Sequence, residues 1–407
     1  MAIERSIIDA AARLRRTREP HLVATVVRVQ GSTYRRPGAR MLLTHFRWIS
    51  GSVSGGSLED DLATKGWQRT RDGEAVVVRY DSRSPAGLNE DVRAAFGLGC
   101  DGVVDVMLER GGTPGRVDPM QFAETCIRSQ RRGAVATVIR SEAPGIRPGT
   151  RVAVMDRDEA QGDRFDTVLR AGMIADARAA IATGESCNRT YRSDLGNVDV
   201  FVEAIMPPPR MFVFGTGHDA VPLIALVKTL GWEVCVCTDE PREVVRQRFA
   251  TVDEIITGSP LEIAARVDEC DRAVAIVMSH DNDVDRRNLG MLVSTNCRYI
   301  GVLGPRTRTQ RMLAELGQGL QGDTRIHAPL GLDLGADTPQ EVALAIVAEV
   351  QSVLTHTNAD KQRSRVTTVS ERPFALMPRI AQAVAAAGPV TGTHLRITVD
   401  SLLTVAS

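Results

Sequence analysis

Between an apolar strand-like run and a helical one, Phe214-Gly215-Thr216-Gly217-His218-Asp219-Ala220 forms a G-x-G-x-x-A pattern. Gly215 permits a tight turn, Gly217 lets the backbone approach a diphosphate, and Ala220 keeps helix and strand close. The amides opening the helix, with His218 beside them, are expected to face an anion with the helix dipole behind it. The next apolar run, EVCVC, leads to Asp239, where a ribose-binding acid belongs. Asp239 favours a free 2′-hydroxyl, whereas Arg242 nearby leaves room for a 2′-phosphate. The competing reading is that these residues only make tight turns.

Two further strand ends carry chemistry. Ser279-His280-Asp281 closes one apolar run and Gly304-Pro305-Arg306 another. Ligands of open α/β sheets gather at the carboxyl ends of strands, so His280, Asp281 and Arg306 are expected to line a crevice with the fingerprint. There His280 is a candidate catalytic acid or base and Arg306 an anion clamp. The alternative makes this a helix-capping turn with Asp281 as N-cap. His327 precedes another helix, for which Asp337 or Thr338 is a natural cap before Pro339.

The first half offers three glycine-rich loops. GSTYRRPGAR (31–40) supplies Arg35, Arg36 and Arg40, guanidinium forks suited to phosphate or carboxylate. GSVSGGSLE (51–59) contributes the backbone of Gly55, Gly56 and Ser57 to the same anion site. GLGCDG (97–102) places Cys100 in a glycine-flanked bend, where arginines would lower its pKa. Cys100 is thus a candidate nucleophile, sulfur carrier or soft-metal ligand, against the reading of a small residue chosen for a turn.

What must position these residues is legible from periodicity. After Pro207-Pro208-Pro209, apolar runs at 211–215, 233–238, 253–257, 273–278 and 299–303 alternate with helical patterns up to 338–354. Such alternation predicts a Rossmann-like, doubly wound parallel sheet over 210–356. Residues 1–206 mix helices with strands at 75–80, 103–108, 134–139 and 151–155, which predicts an α+β domain whose loops carry the site. No internal repeat is expected, and 357–407 read as a C-terminal extension. Fifty Lys+Arg against fifty Asp+Glu argue against a nucleic-acid binder or stable membrane association. Seven scattered cysteines without a C-x-x-C pair argue against a resident iron–sulfur or zinc centre, and no segment reads as a signal or span. A cytoplasmic protein is expected.

In one order along the chain, GSTYRRPGARMLL, GSVSGGSLE, GLGCDGVVDVMLE, VFGTGHDAVPL, VMSHDNDVD, RYIGVLGPRTRTQRM and HAPLGLDLGADTPQEVALAIVAEV resemble the xanthine dehydrogenase accessory protein family, XdhC/CoxI. The resemblance implies binding of the molybdenum cofactor (molybdopterin), support for installing its sulfido ligand, and insertion into a xanthine dehydrogenase-type molybdenum hydroxylase. On that view the arginine loop holds the pterin phosphate, and Cys100 contacts molybdenum or a sulfur donor. Ser57 stands where the family commonly has cysteine, and Asp101 follows Cys100. The implied partners are the hydroxylase apoenzyme and a cysteine desulfurase, and a homodimer is compatible with the reading.

The alternative is an NAD- or NADP-dependent oxidoreductase using the same fingerprint with His280 as acid or base. A third reading is a scaffold whose Rossmann half only holds partners together.

Overall fold

The computed structural model describes residues 4–31, 33–45, 47–56, 58–81, 102–113, 116–156, 158–193, 196–317, 320–355 and 357. Cys100, Asp101 and Ser57 lie outside the described residues, as does the extension beyond Thr357.

The first two hundred residues form two antiparallel five-stranded sheets. Helix α1 (Arg5–Thr17) precedes β1 (Leu22–Gly31), β2 (Arg40–Leu43), β3 (Trp48–Gly51), α2 (Glu59–Arg69), β4 (Val76–Asp81) and β5 (Gly102–Arg110). The chain then runs through α3 (Pro119–Arg128), β6 (Gly133–Ser141), β7 (Arg151–Met155), β8 (Gln161–Gly162), α4 (Thr167–Thr183), β9 (Cys187–Ser193) and β10 (Gly196–Ile205). The sheet orders are β3-β2-β1-β5-β4 and β8-β7-β6-β10-β9. Element for element these are one topology used twice, which overturns the expectation of no internal repeat.

The likeness extends to register and sequence. Val23-Ala24-Thr25-Val26-Val27-Arg28 corresponds to Val135-Ala136-Thr137-Val138-Ile139-Arg140, and both strands bulge at the same place, Val27 and Ile139. Arg36-Pro37-Gly38-Ala39-Arg40 corresponds to Arg147-Pro148-Gly149-Thr150-Arg151. Each is a turn with proline second and glycine third, closed by Ala39 N–H to Arg36 O at 3.1 Å and by Thr150 N–H to Arg147 O at 3.1 Å. Gly38 and Gly149 take φ of 95° and 88°, the left-handed conformation that the third position of a type II turn requires. Val104-Asp105-Val106-Met107-Leu108-Glu109 and Val198-Asp199-Val200-Phe201-Val202-Glu203 complete the pair. The repeat escapes a linear reading because these matches are short and the intervening loops differ in length.

Packing follows the repeat. Leu58 and Leu62 close one outer sheet face, and Leu169, Met173 and Ala177 of α4 close the other. Val27, Met107, Ile139 and Phe201 meet in one cluster where the sheets join. Helix α1 presents Ile7, Ile8, Ala11 and Leu14 at helical spacing to a core shared with α3, Val23 and Val135.

Beyond buried Pro207, Pro208 and Pro209 lies a six-stranded parallel sheet of order β13-β12-β11-β14-β15-β16. Its strands are β11 (Arg210–Phe214), β12 (Glu233–Cys237), β13 (Glu254–Ile256), β14 (Ala273–Val277), β15 (Tyr299–Val302) and β16 (Ile326–His327). Helices α5 (Ala220–Thr229), α6 (Arg242–Arg248) and α10 (Pro339–Leu354) cover one face. The other carries α7 (Pro260–Asp268), α8 (Asn282–Leu292) and α9 (Arg306–Leu316). Burial on both faces explains the continuous apolar strands that the sequence shows. No described helix is long and apolar enough to cross a membrane.

Candidate functional sites in the arginine loop and at the sheet switch point

Strand order reverses direction between β11 and β14, and the crevice at their carboxyl ends is where such sheets bind ligands. Gly215 has φ of 149°, and a Cβ there would meet Met278 O at 2.4 Å, so only glycine fits between the two strand ends. His280 pairs through Nε2 with Asp219 Oδ2 at 2.8 Å, joining the fingerprint turn to the β14 loop as the sequence anticipates. Unlike most non-glycine residues, His280 is left-handed, with φ of 63°. Its loop is pinned by the fully buried Asp285, which accepts from Ser279 N at 3.0 Å, from Ser279 Oγ at 2.5 Å and from Arg308 Nη2 at 2.7 Å. Sequence reading missed Asp219, Asp285 and Arg308; the acid–arginine pairing of DNDVD with GPRTR becomes visible only once β14 and β15 are neighbours.

The remaining anticipated residues divide. Asp281 is the N-cap of α8, accepting from Asp283 N and Val284 N at 2.9 and 3.0 Å. Thr338 caps α10 in a capping box with Glu341. His218, Asp239 and Arg306 are exposed at the crevice rim. Two carboxylates intrude on the turn itself. A Cβ on Gly217 would fall 2.5 Å from Asp219 Oδ1, so that carboxylate covers the glycine face a diphosphate would approach. Glu240 accepts the Thr216 hydroxyl, and Arg248 donates to Thr216 O. Negative charge at this place opposes a diphosphate.

A histidine outside the anticipated set has a related environment. His327 stacks on Tyr299 at 4.3 Å, and its Nδ1 pairs with Glu349 Oε1 at 3.0 Å. Glu349 also accepts from Gly331 N and Tyr299 Oη. Burial opposes the Glu349 charge, and these donors outweigh it, so its pKa falls below the usual value.

In the first domain the carboxyl ends of β1, β3 and β4 bring the arginine loop and the glycine–serine loop to one end of the sheet. The structure separates the three arginines. Arg36 is exposed, with its guanidinium free of hydrogen bonds and ion pairs to described residues. Arg35 ties the loops together, donating from Nε and Nη2 to Ser52 Oγ at 3.1 and 2.8 Å, and from Nη1 to Glu4 at 3.3 Å. Arg40 is buried, its side chain 2% exposed and forked onto Glu203 with one contact at 2.6 Å. It is turned away from any ligand entering the loop from solvent, contrary to the expectation of three arginines on one anion.

The glycine–serine loop also departs from expectation. Glu59 Oε1 accepts from Val53 N at 3.0 Å and Ser54 N at 2.9 Å, and Oε2 accepts from Leu58 N at 3.2 Å and the Ser54 hydroxyl. Burial raises the pKa of this carboxyl, and the four donors more than reverse that, leaving it below the usual value. These amides are already spent on the chain's own anion. Gly55 and Gly56 remain exposed, Gly55 against the ring of Tyr34, itself 71% exposed.

Every described cysteine is reduced and inert in setting. Burial pushes Cys126, Cys235 and Cys297 up to about 12 and raises Cys187, Cys237 and Cys270 as well. Among the described residues no group of three or more His, Cys, Asp or Glu could hold a metal ion.

The two candidate sites do not form one pocket. Arg132 grips Asp271 at 2.5 Å, Arg5 pairs with Asp253 at 3.7 Å, and Arg272 donates to Pro207 O at 3.3 Å. All three contacts fall at the amino ends of the parallel strands. The crevice at the carboxyl ends lies a strand length away, about 15 Å.

Comparison with known proteins agrees with both halves. Residues 211–350 match the model described as XdhC Rossmann domain, and residues 14–81 match the XdhC and CoxI family. A Bacillus subtilis protein described as a probable xanthine dehydrogenase subunit is 29% identical over 82% of this chain and 92% of its own length. The molybdenum cofactor insertion chaperone PaoD of Escherichia coli is 24% identical over 83% of this chain and 85% of its own. A crystal structure described as a xanthine dehydrogenase from Bacillus halodurans superposes with a TM-score of 0.66 at 23% identity, covering 88% of this chain and 98% of that one, which shows the shared fold. With residues 14–81 and the Rossmann domain each matched by a model of this family, and a relative aligned over most of the chain, the chain belongs to the XdhC/CoxI accessory family.

Proposed function

We propose that this chain is an accessory protein to a xanthine dehydrogenase-type molybdenum hydroxylase, binding molybdopterin as cargo, supporting its sulfuration and inserting it into the apoenzyme. The observation that carries the reading is Arg36, an exposed guanidinium, unpaired among the described residues, on a rigid turn within the family-matched segment. A guanidinium so presented suits a phosphate monoester, and the neighbouring Tyr34 ring offers a face to a planar heterocycle. The relationship to PaoD supports the insertion role. Cys100 takes the sulfur-donor or molybdenum contact, with a cysteine desulfurase as source of sulfur. Mass spectrometry of molecules released from protein made with its molybdenum pathway intact tests this. Molybdopterin is expected from the wild-type chain, retention falls in Arg36→Ala, and sulfuration falls in Cys100→Ala. Normal loading and activation of the target by the double variant would sink the assignment.

A second reading, an NAD(P)-dependent oxidoreductase, draws on the His280–Asp219 pair at the switch point. The carboxylates of Asp219 and Glu240 over the fingerprint turn weigh against it. Saturable dinucleotide binding that disappears in Gly217→Val, together with a hydride-transfer product, would favour it.

A further inference from the structure

The two repeats of the first domain exchange buried charges. Arg40 of the first forks onto Glu203 of the second, and Arg151 of the second donates from Nη2 to Glu109 of the first at 2.6 Å. Arg40 corresponds to Arg151 and Glu203 to Glu109, so one contact is made twice across an approximate twofold relation. The two arginine side chains are 2% and 3% exposed, and both Nε atoms are buried without a partner among the described residues. Burial opposes the Arg40 charge, and Glu203 outweighs it, leaving the pKa above the usual value.

The two braces differ in what else they hold. Arg40 Nη1 also donates to Gly38 O at 3.0 Å, inside its own type II turn. Arg151 Nη1 instead reaches Val117 O at 3.1 Å, in the connection between the repeats. The turns differ likewise at their first residue. Arg147 pairs with Glu74 at 3.6 Å, whereas Arg36 has no such partner among the described residues.

From this asymmetry we infer that Glu203 is a positioning residue for cargo binding: through Arg40 it fixes the Gly38 carbonyl, and so holds the turn that presents Arg36. The second repeat is a non-binding copy whose carboxylate braces the binding loop of the first. The inference rests on the proposed cargo reading, but half of its test does not.

The mirror site supplies the control. Wild type, Glu203→Gln and Glu109→Gln are compared for molybdopterin released per chain, and for hydrogen exchange of the 33–39 amides in cargo-free protein. Glu203→Gln is expected to retain about tenfold less, the size of one charge-assisted hydrogen bond, and to exchange faster at 33–39. Glu109→Gln should match wild type in both. Equal retention and equal loop exchange in the two folded variants would overturn the positioning role. Should Glu203→Gln fail to fold, Glu203→Asp keeps the charge while shortening its reach. Faster exchange at 33–39 then supports the role, and unchanged exchange refutes it. A wild-type chain that carries no molybdopterin removes the cargo reading, while exchange still decides the positioning.

Discussion

The first and second repeats share strands, bulge, turn and buried arginine, yet among the described residues only the first turn presents an open cation. In the first, Arg36 has no partner among the described residues; in the second, Arg147 is answered by Glu74. The connection from the third strand to the following helix differs too. In the first repeat Val53, Ser54 and Leu58 donate to the Glu59 carboxylate, whereas the shorter 163–166 ends in an ordinary cap, Asp166 accepting from Leu169 N at 2.8 Å. The segment between the last two strands is long in the first repeat (82–101) and short in the second (194–195). One scaffold is used twice, with loops that differ in length and pairing between the copies. On the proposed reading, binding capacity would be a property of loops and of charges left unanswered, not of the sheet beneath them.

The largest effect that tests this comparison is on stability. Arg40→Ala leaves Glu203 buried without its partner and is expected to cost about 3–5 kcal/mol. Arg151→Ala should cost less, because Glu109 is 16% exposed against 7% for Glu203. Chemical denaturation of both variants measures the difference, and equal losses would break the link between burial and cost.

Next comes acid sensitivity. Glu59 is held below its ordinary pKa by the donors of its loop. Its contribution is therefore complete above about pH 4.5, the unfolded value, and is lost as pH falls through the lower folded value. Glu59→Gln should cost about 2 kcal/mol near neutrality and flatten the acid limb of the stability profile. A variant with an unaltered acid limb would show that the loop does not depend on that charge.

For binding, Arg36→Ala should lower molybdopterin retention about tenfold, whereas Arg147→Ala leaves it within about twofold. Equal losses would make the repeats functionally equivalent. The smallest effect expected is a gain. Glu74→Gln frees Arg147 and should raise weak phosphate binding by less than about tenfold, observable by NMR titration at low salt.

Much of the Rossmann half was legible because buried parallel strands write continuous apolar runs and helix caps write Asp281 and Thr338-Pro339. The meeting of His280 with the fingerprint turn followed from the rule that ligands gather at strand carboxyl ends. What stayed hidden depended on pairing across distance. Arg40 has the residue type and loop position of an anion clamp, and only its partner, 163 residues away, turns it into an internal brace. Glu59 reads as an ordinary helix acid until the loop folds back around it. The duplication hid for a different reason: its matching segments hold strand and turn, while every loop between them diverged.

That separation of 163 residues also sets a schedule. At the ribosome, where about 5–20 residues are added per second, Arg40 waits on the order of ten to thirty seconds for Glu203 to be made. Through that interval the arginine turn exists as chain but lacks its anchor. On the proposed cargo reading, a nascent first repeat would be kept from gripping its ligand until the second repeat, with Glu203, had been made.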